Sequence, residues 1–434
     1  MPDPSDFLAA ETRALLVRVE ALKPFVLQET MLPAAVLLPG ALIGVEKLLL
    51  RERAKLRRLG RAFLSWLAGP GRAAPATEAQ RRFTTLRLRL NEHLAQLDLF
   101  SDAITQRSES AVGTWLSGMD VAAGDALRLN DGIASEAVPI ICYLDRGPGA
   151  AIRRARTRLP GEATNPVAII RIPRERMVGH GIASSLFHEV GHQGAALLDL
   201  VPALRAELLD RAGSAPVSER LPWRCWATWI SEITADFWSV AKLGIGSTLG
   251  LMGVVSLPRP FVFRFTLDDP HPFPWIRVMV SATIGDTLYP SPQWSQLRRL
   301  WLRLYPLSGA EPEVAEVIGH LAPTIPALAR LLAGHTPAGL RGTTLADALA
   351  HPSRHPEPLR RLFGACVTRP DLTADVRPAL RFAVLGQARW DGRLTARQES
   401  RAVSRMLTGW AMRSTLRMAA AHSNPQLQPA GAAG

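Results

Sequence analysis

The sequence predicts an α+β fold that is mostly α-helical, and three observations predict it. Apolar residues recur at helical spacing through both ends of the chain. Two short β-branched runs, Val138–Leu144 and Pro166–Ile172, stand near its middle and supply a small sheet. A helix containing His188-Glu189-Val190-Gly191-His192 follows the second run.

At 434 residues the chain exceeds what one compact core organises, so several subdomains are expected. Four regions follow from composition and pattern: an N-terminal helical region at 1–68, a linker and helical region at 69–130, a mixed region at 131–310, and a C-terminal helical region at 311–434. The formal net charge of +13 fits an acidic protein, an anionic membrane surface or a nucleic acid, although a GC-rich coding sequence produces the same arginine bias without any partner. Cys142, Cys225 and Cys366 are widely spaced and odd in number, which fits a reducing cytoplasm better than a disulfide framework or a thiolate metal cluster.

Ser5 or Asp6 can cap a first helix, Phe7–Lys23, with Leu8, Leu15, Val19 and Leu22 on one face. Acids in this N-terminal stretch occupy the place of a signal peptide's positive region. Met31–Val45 is the most hydrophobic stretch, but it is too short to span a bilayer and is interrupted by Pro33, Pro39, Gly40 and Gly44, so it reads as a buried connection. Glu46–Leu67 is a basic amphipathic helix, suited to a solvated face, an acidic partner or peripheral contact with anionic lipid. Ala68–Ala79 is a Pro/Gly/Ala-rich linker, and the helices Arg81–Ser108 and Ala111–Leu129 follow it. The connection between the two strands is rich in arginine (Arg153, Arg154, Arg156, Arg158), which suits either a solvated loop or selection of acidic groups. Val201–Pro222 reads as a helix and a loop, Leu257–Tyr289 as a Pro- and aromatic-rich segment, and Glu311–Ala421 as leucine-rich helices broken by prolines. The tail Ser423–Gly434 is expected to be disordered.

The chemistry concentrates in two helices. His188 and His192 are four residues apart, so their imidazoles share a helix face and can reach one metal ion, with Glu189 placed to take a proton from water. The helix Trp229–Gly244 is apolar except for Glu232 and Asp236, again four apart. Buried carboxylates need a cation or strong donors, and the alternative is that both face water. One zinc ion held by His188, His192 and Glu232 satisfies the first carboxylate, and Asp236 can accept the free N–H of a ligand histidine. In the segment after Leu257, His271 or Tyr289 can donate to a developing oxyanion, or each can be structural.

The pentapeptide, the later Glu232-Ile233-Thr234-Ala235-Asp236 and the segment His271-Pro272-Phe273-Pro274-Trp275-Ile276-Arg277 occur in the order HExxH, ExxAD, HPx4R. This resembles the gluzincin clan of zinc metallopeptidases, in particular the CAAX prenyl protease-like endopeptidases, over roughly Val138–Tyr289. The resemblance implies a zincin-like catalytic domain flanked by helical regions, with Glu189 as general base and Glu232 as third zinc ligand. It implies that Asp236 supports a ligand, and that His271 and Arg277 line the cleft to stabilise the oxyanion or grip substrate backbone. The expected partner is a protein or peptide substrate, with nucleic acid disfavoured. The expected site of action is cytoplasmic or peripheral to a membrane. The alternative is a zincin-derived scaffold that binds a partner without turnover.

Overall fold

The three strands are the smallest part of the molecule, and both main cores pack against them. The computed structural model describes residues 3–21, 31–133, 137–147, 149–159, 163–174, 179, 181–368 and 376–423. Strand β1 (Ile140–Asp145) pairs in parallel with β3 (Ala168–Pro173), Cys142 lying opposite Ile170. β2 (Ala151–Arg153) runs antiparallel along the far side of β3, so the order is β1-β3-β2. Helices account for 76% of the structure, which makes the fold α+β and mostly helical with one small sheet. β2 falls inside the Arg-rich connection, where three residues are too few to show a period.

β1 is buried on both faces, which is why its sequence is apolar throughout rather than alternating. Ile140, Cys142 and Leu144 join the main core, while Ile141 and Tyr143 join a second core with Leu97, Phe100 and Ile104. Among the described residues no strand covers its outer edge; side chains satisfy that edge instead. Arg107 Nη2 donates to the Cys142 carbonyl and Asp120 accepts the Cys142 N–H, each at 2.7 Å. Gln106 donates to the Leu144 carbonyl and accepts its N–H, both at 2.8 Å. Arg107 and Asp120, almost wholly buried, also pair with each other at 2.8 and 3.2 Å. The arrangement removes an edge that another chain could extend.

Four helices precede the sheet: α1 (Pro4–Ala21), α2 (Pro39–Ala68), α3 (Ala76–Thr105) and α4 (Ser110–Leu127). The hydrophobic stretch Met31–Val45 is a connection only as far as Leu38. Pro39 occupies the first helical position, where its fixed φ and missing N–H are tolerated, so α2 starts there rather than at Glu46. Lys47, Arg51, Arg58 and Arg61 lie on its exposed side, opposite Leu48, Leu56 and Phe63.

After the sheet come α5 (Gly181–Leu197), α6 (Leu200–Ser214), α7 (Val217–Leu243) and α8 (Ile245–Val255). α7 begins inside the expected loop and contains Pro222. That proline removes one backbone bond near the helix start, and burial of Trp223, Trp226 and Trp229 in the next two turns outweighs the loss. The single turn α9 (Arg259–Val262) leads to α10 (Pro274–Leu288), which forms the second half of the Pro- and aromatic-rich segment, and then to α11 (Pro292–Leu304).

The C-terminal helices are α12 (Pro312–Leu321), α13 (Ile325–Gly334), α14 (Leu345–Leu349), α15 (Pro356–Thr368), α16 (Pro378–Trp390) and α17 (Ala396–Ser423). One apolar core takes in residues from Leu116 to Trp410, and these helices except α15 share it with α5 and α7; Leu359 of α15 packs with Ala383 and Val384 of α16 in a small separate cluster. Among the described residues, Pro312–Gly334 is the one helical span long and apolar enough to cross a membrane. It is interrupted by a 3₁₀ turn at Ala322–Thr324, and Leu321, Ile325, Leu328 and Leu332 are buried in the main core. Cys142 and Cys225 are buried free thiols. Residues 22–23 of the first expected helix and 424–434 of the expected disordered tail lie outside the described residues.

The edge of β1 gives one prediction. Arg107→Met leaves Asp120 buried and uncompensated, so the midpoint of urea unfolding should fall by an amount equivalent to about 3–5 kcal/mol. A midpoint within error of the parent would show that the pair does not brace the strand.

Lys242 gives a second. It is almost fully buried in the last turn of α7, with Nζ donating to the Arg128 carbonyl at 2.7 Å. Burial first, and then the neighbouring Arg354, pull its pKa down to about 7. The unfolded chain therefore binds more protons than the folded one from about pH 7 up to about pH 10, and stability should rise with pH across that window. Lys242→Met should flatten the rise measured between pH 7 and 9; equal slopes in parent and variant would exclude Lys242 as its source.

Candidate metal centre

The site exists because α5 and α7 cross in backbone contact. A Cβ at Gly191 would stand 2.8 Å from both Cα and O of Ala235, and one at Gly194 would stand 2.4 Å from the Trp238 ring. Only hydrogen at these two positions lets the helices approach so closely. Trp238 is held in turn by its indole N–H, which donates to the Ala126 carbonyl at 2.9 Å. Gly191 lies between the two histidines of α5, and Ala235 lies between the two carboxylates of α7. The contact therefore sets the four side chains against one another.

His188 Nε2 lies 3.3 Å from Glu232 Oε2, and His192 Nε2 lies 3.3 Å from Glu232 Oε1. These are long for charge-assisted hydrogen bonds. They match the edge of a tetrahedron around a metal bound at about 2.0–2.1 Å, which is about 3.3 Å. The ligand atoms of His188, His192 and Glu232 all fall within 4.8 Å of one another. Asp236 Oδ1 sits 2.8 Å from His188 Nδ1, which keeps a proton on Nδ1 and leaves Nε2, the nitrogen facing Glu232, as the one that would give up its proton to a metal. The His192 Nδ1 lies 3.5 Å from the Ser231 hydroxyl. Two imidazole nitrogens and one carboxylate are a donor set that fits zinc.

Arg277, from the first turn of α10, braces this cluster. Its Nε donates to Asp236 Oδ2 at 2.7 Å and its Nη2 to Oδ1 at 3.0 Å; Nη2 also lies 3.2 Å from Glu232 Oε2. With both imidazoles neutral, as ligation requires, the carboxylates of Glu189, Glu232 and Asp236 outnumber the Arg277 guanidinium among them. Without an ion, burial works to lower the His188 pKa but Asp236 and Glu232 push it up to about 10, so a divalent cation would take the place of a proton. Burial works to raise Glu232, but hydrogen bonds from His188 and His192 carry its pKa far below the usual range. Burial likewise opposes ionisation of Asp236, and Arg277 and His188 bring it down to about 2. Glu189 differs from both: burial raises its pKa, with only partial relief from His188 and His192. A carboxylate raised in this way is a better proton acceptor than an ordinary one.

These residues line a cleft of about 470 Å³, bounded on one side by α5 and α7 and on another by Ala151 and Ile152 of β2. Leu251 and Val254 of α8 add an apolar wall. His188, Glu189, His192, Glu232, Asp236, His271 and Arg277 are thus brought to one place from three helices and a loop. His271 stands at the mouth, 59% exposed, with Nε2 3.8 Å from Glu232 Oε1 and Nδ1 3.0 Å from Asp269. Tyr289 is elsewhere: it is buried at the end of α10, its hydroxyl donating to the Ala241 carbonyl at 2.5 Å, so its role is structural. The positions of Ser231 and Asp269 carried no signal in the sequence, because a lone serine and an exposed aspartate are common. The bracing by Arg277 depends on a crossing of α10 over α7 that no local pattern encodes.

No family model, no curated protein and no solved structure matches the chain.

The crossing generates its own test. Gly191→Ala forces two backbones apart, and the overpacking should lower stability by about 1–3 kcal/mol and weaken zinc binding. Gly213→Ala, where the new methyl meets open space in α6, should be neutral or mildly stabilising. Thermal unfolding and competitive zinc titration of both variants would check this; equal zinc affinity in the parent and Gly191→Ala would refute the dependence on that contact.

Proposed function

We propose that this protein is a zinc-dependent endopeptidase, with a zincin-like catalytic unit of the gluzincin type that holds one zinc ion. The observation carrying this reading is the convergence of His188 Nε2 and His192 Nε2 on Glu232, each 3.3 Å from one of its two oxygens, beside a buried Glu189, all facing one cleft. Three protein ligands leave a tetrahedral ion one position for water or substrate, as catalytic sites do and closed structural sites do not.

His188, His192 and Glu232 hold the ion. Zinc, when bound, supplies Lewis acidity to the scissile carbonyl and makes water a nucleophile near neutral pH. Glu189 accepts the proton lost as the water oxygen bonds to the carbonyl carbon, then delivers it to the departing amine as the C–N bond breaks. Asp236 keeps His188 in the ligating tautomer, and Arg277 keeps both Asp236 and Glu232 from turning away. His271 is near enough to the ligand carboxylate to donate to an oxyanion at the cleft mouth.

Two variants separate binding from chemistry. Glu232→Ala should lose zinc measured by elemental analysis, whereas Glu189→Gln should keep about one zinc per chain and lose cleavage of peptides from a cell lysate by at least about a hundredfold. Retention of zinc in the first variant, or undiminished cleavage in the second, would end the reading at that residue. Asp236→Asn should weaken zinc affinity by about 10–100-fold while leaving the three ligands in place, which a chelator titration would measure.

A further inference from the structure

The wall of the cleft opposite the metal helix carries a cation that the metal centre does not use. Ala151, Ile152 and Arg154 line the cleft on the side of β2, Arg154 being the residue that follows the strand. Of the cleft's two arginines, Arg277 is committed to Asp236 and Glu232. Arg154 is exposed, and no carboxylate among the described residues lies within ion-pair distance of it.

The turn bearing Arg154 is also fixed relative to the ion-binding helix. Gln193, the residue after His192, is 1% exposed, and its Oε1 accepts the Ala155 N–H at 2.8 Å. Asn165, wholly buried, donates from Nδ2 to the Arg154 carbonyl at 3.0 Å. Arg156 then takes a left-handed backbone conformation, φ 64°, and its N–H donates to the Asn165 carbonyl at 2.8 Å. Burying two primary amides is costly unless they are bonded, and here their bonds lock one turn at a set place along α5.

We infer that Arg154 is a specificity-determining residue that pairs with a carboxylate of a bound peptide. A guanidinium offers a planar fork that matches a carboxylate, and this one stems from a fixed turn and has no carboxylate partner among the described residues. The excess negative charge beside it is taken up by the metal ion, so the far wall remains the place where an anionic substrate group is favoured. The inference rests on the peptidase reading for turnover but not for binding. The carboxylate can belong to an Asp or Glu side chain or to a peptide C-terminus, and the test separates these sources.

The experiment uses the full-length, zinc-loaded Glu189→Gln protein and three fluorescein-labelled octapeptides read by anisotropy. One has an internal Glu and an amidated end, one has Gln with a free C-terminal carboxylate, and one has Gln with an amidated end. At least one carboxylate peptide should bind about five- to tenfold more tightly than the uncharged one, the advantage shrinking at high salt. In Arg154→Ala that ratio should fall toward one, in Arg154→Lys it should be partly kept, and in Arg154→Glu it should invert, the uncharged peptide binding most tightly. Equal binding of all three peptides, or a preference that survives in Arg154→Ala, overturns the inference. Cleavage of the same peptides by the parent is scored separately. Glu189-dependent cleavage without carboxylate preference removes the role of Arg154 and leaves the peptidase reading standing. Carboxylate-dependent binding lost in Arg154→Ala, with no cleavage by the parent, does the reverse.

Discussion

Everything at the centre of this molecule follows from two helices being allowed to touch. The absence of a side chain at Gly191 lets the α5 backbone lie against the Ala235 backbone of α7, where a Cβ would stand 2.8 Å from Ala235 Cα and O. Side chains that would otherwise point past each other then meet at 3.3 Å. The same closeness concentrates negative charge in a partly dry place, and such a concentration needs compensation. Arg277 supplies part of it from α10, and His188, His192 and Glu232 form a donor set that could hold a metal ion.

The supporting structure keeps this contact from relaxing. Trp238 fills the space above Gly194 and ties α7 to α4 through the Ala126 carbonyl. α4 in turn carries Asp120, which with Arg107 braces the free edge of β1. The sheet therefore connects to the metal centre from two directions: through α4 and Trp238 behind it, and through Gln193 and the Arg154 turn in front. Buried polar groups do the joining in both directions: Arg107 and Asp120 bond to the edge of β1 and Trp238 to α4 on one side, and Gln193 bonds to the Ala155 N–H on the other.

Polar chemistry also explains why residues with the same charge behave differently. Glu189, Glu232 and Asp236 share one cleft, yet Glu232 and Asp236 are held ionised by imidazole and guanidinium donors while burial raises Glu189. Carboxylates pushed apart in this way can divide their labour, two binding and bracing, one moving a proton. Arg277 and Arg154 divide similarly, one consumed by internal carboxylates and one left facing the cleft.

Much of this was legible in the amino-acid sequence, and the reasons are local. The i, i+4 pairs His188/His192 and Glu232/Asp236 determine by helical pitch alone that each pair shares a face. The β-branched runs placed β1 and β3, since strands buried on both faces are largely apolar rather than alternating, Arg171 and Asp145 being their half-buried exceptions. Local pattern failed where a single residue had two physical meanings. Pro39 was as consistent with a connection as with a helix start, the loop expected before Trp223 is already helical from Val217 through Pro222, and β2 was too short to have a period. Only the tertiary structure decided which helices cross, that Gly191 is a contact surface rather than a flexible point, that Arg277 braces Asp236, and that Tyr289 is buried away from the cleft. Those outcomes depend on distances between segments far apart in the chain, and periodicity within one segment carries no information about them.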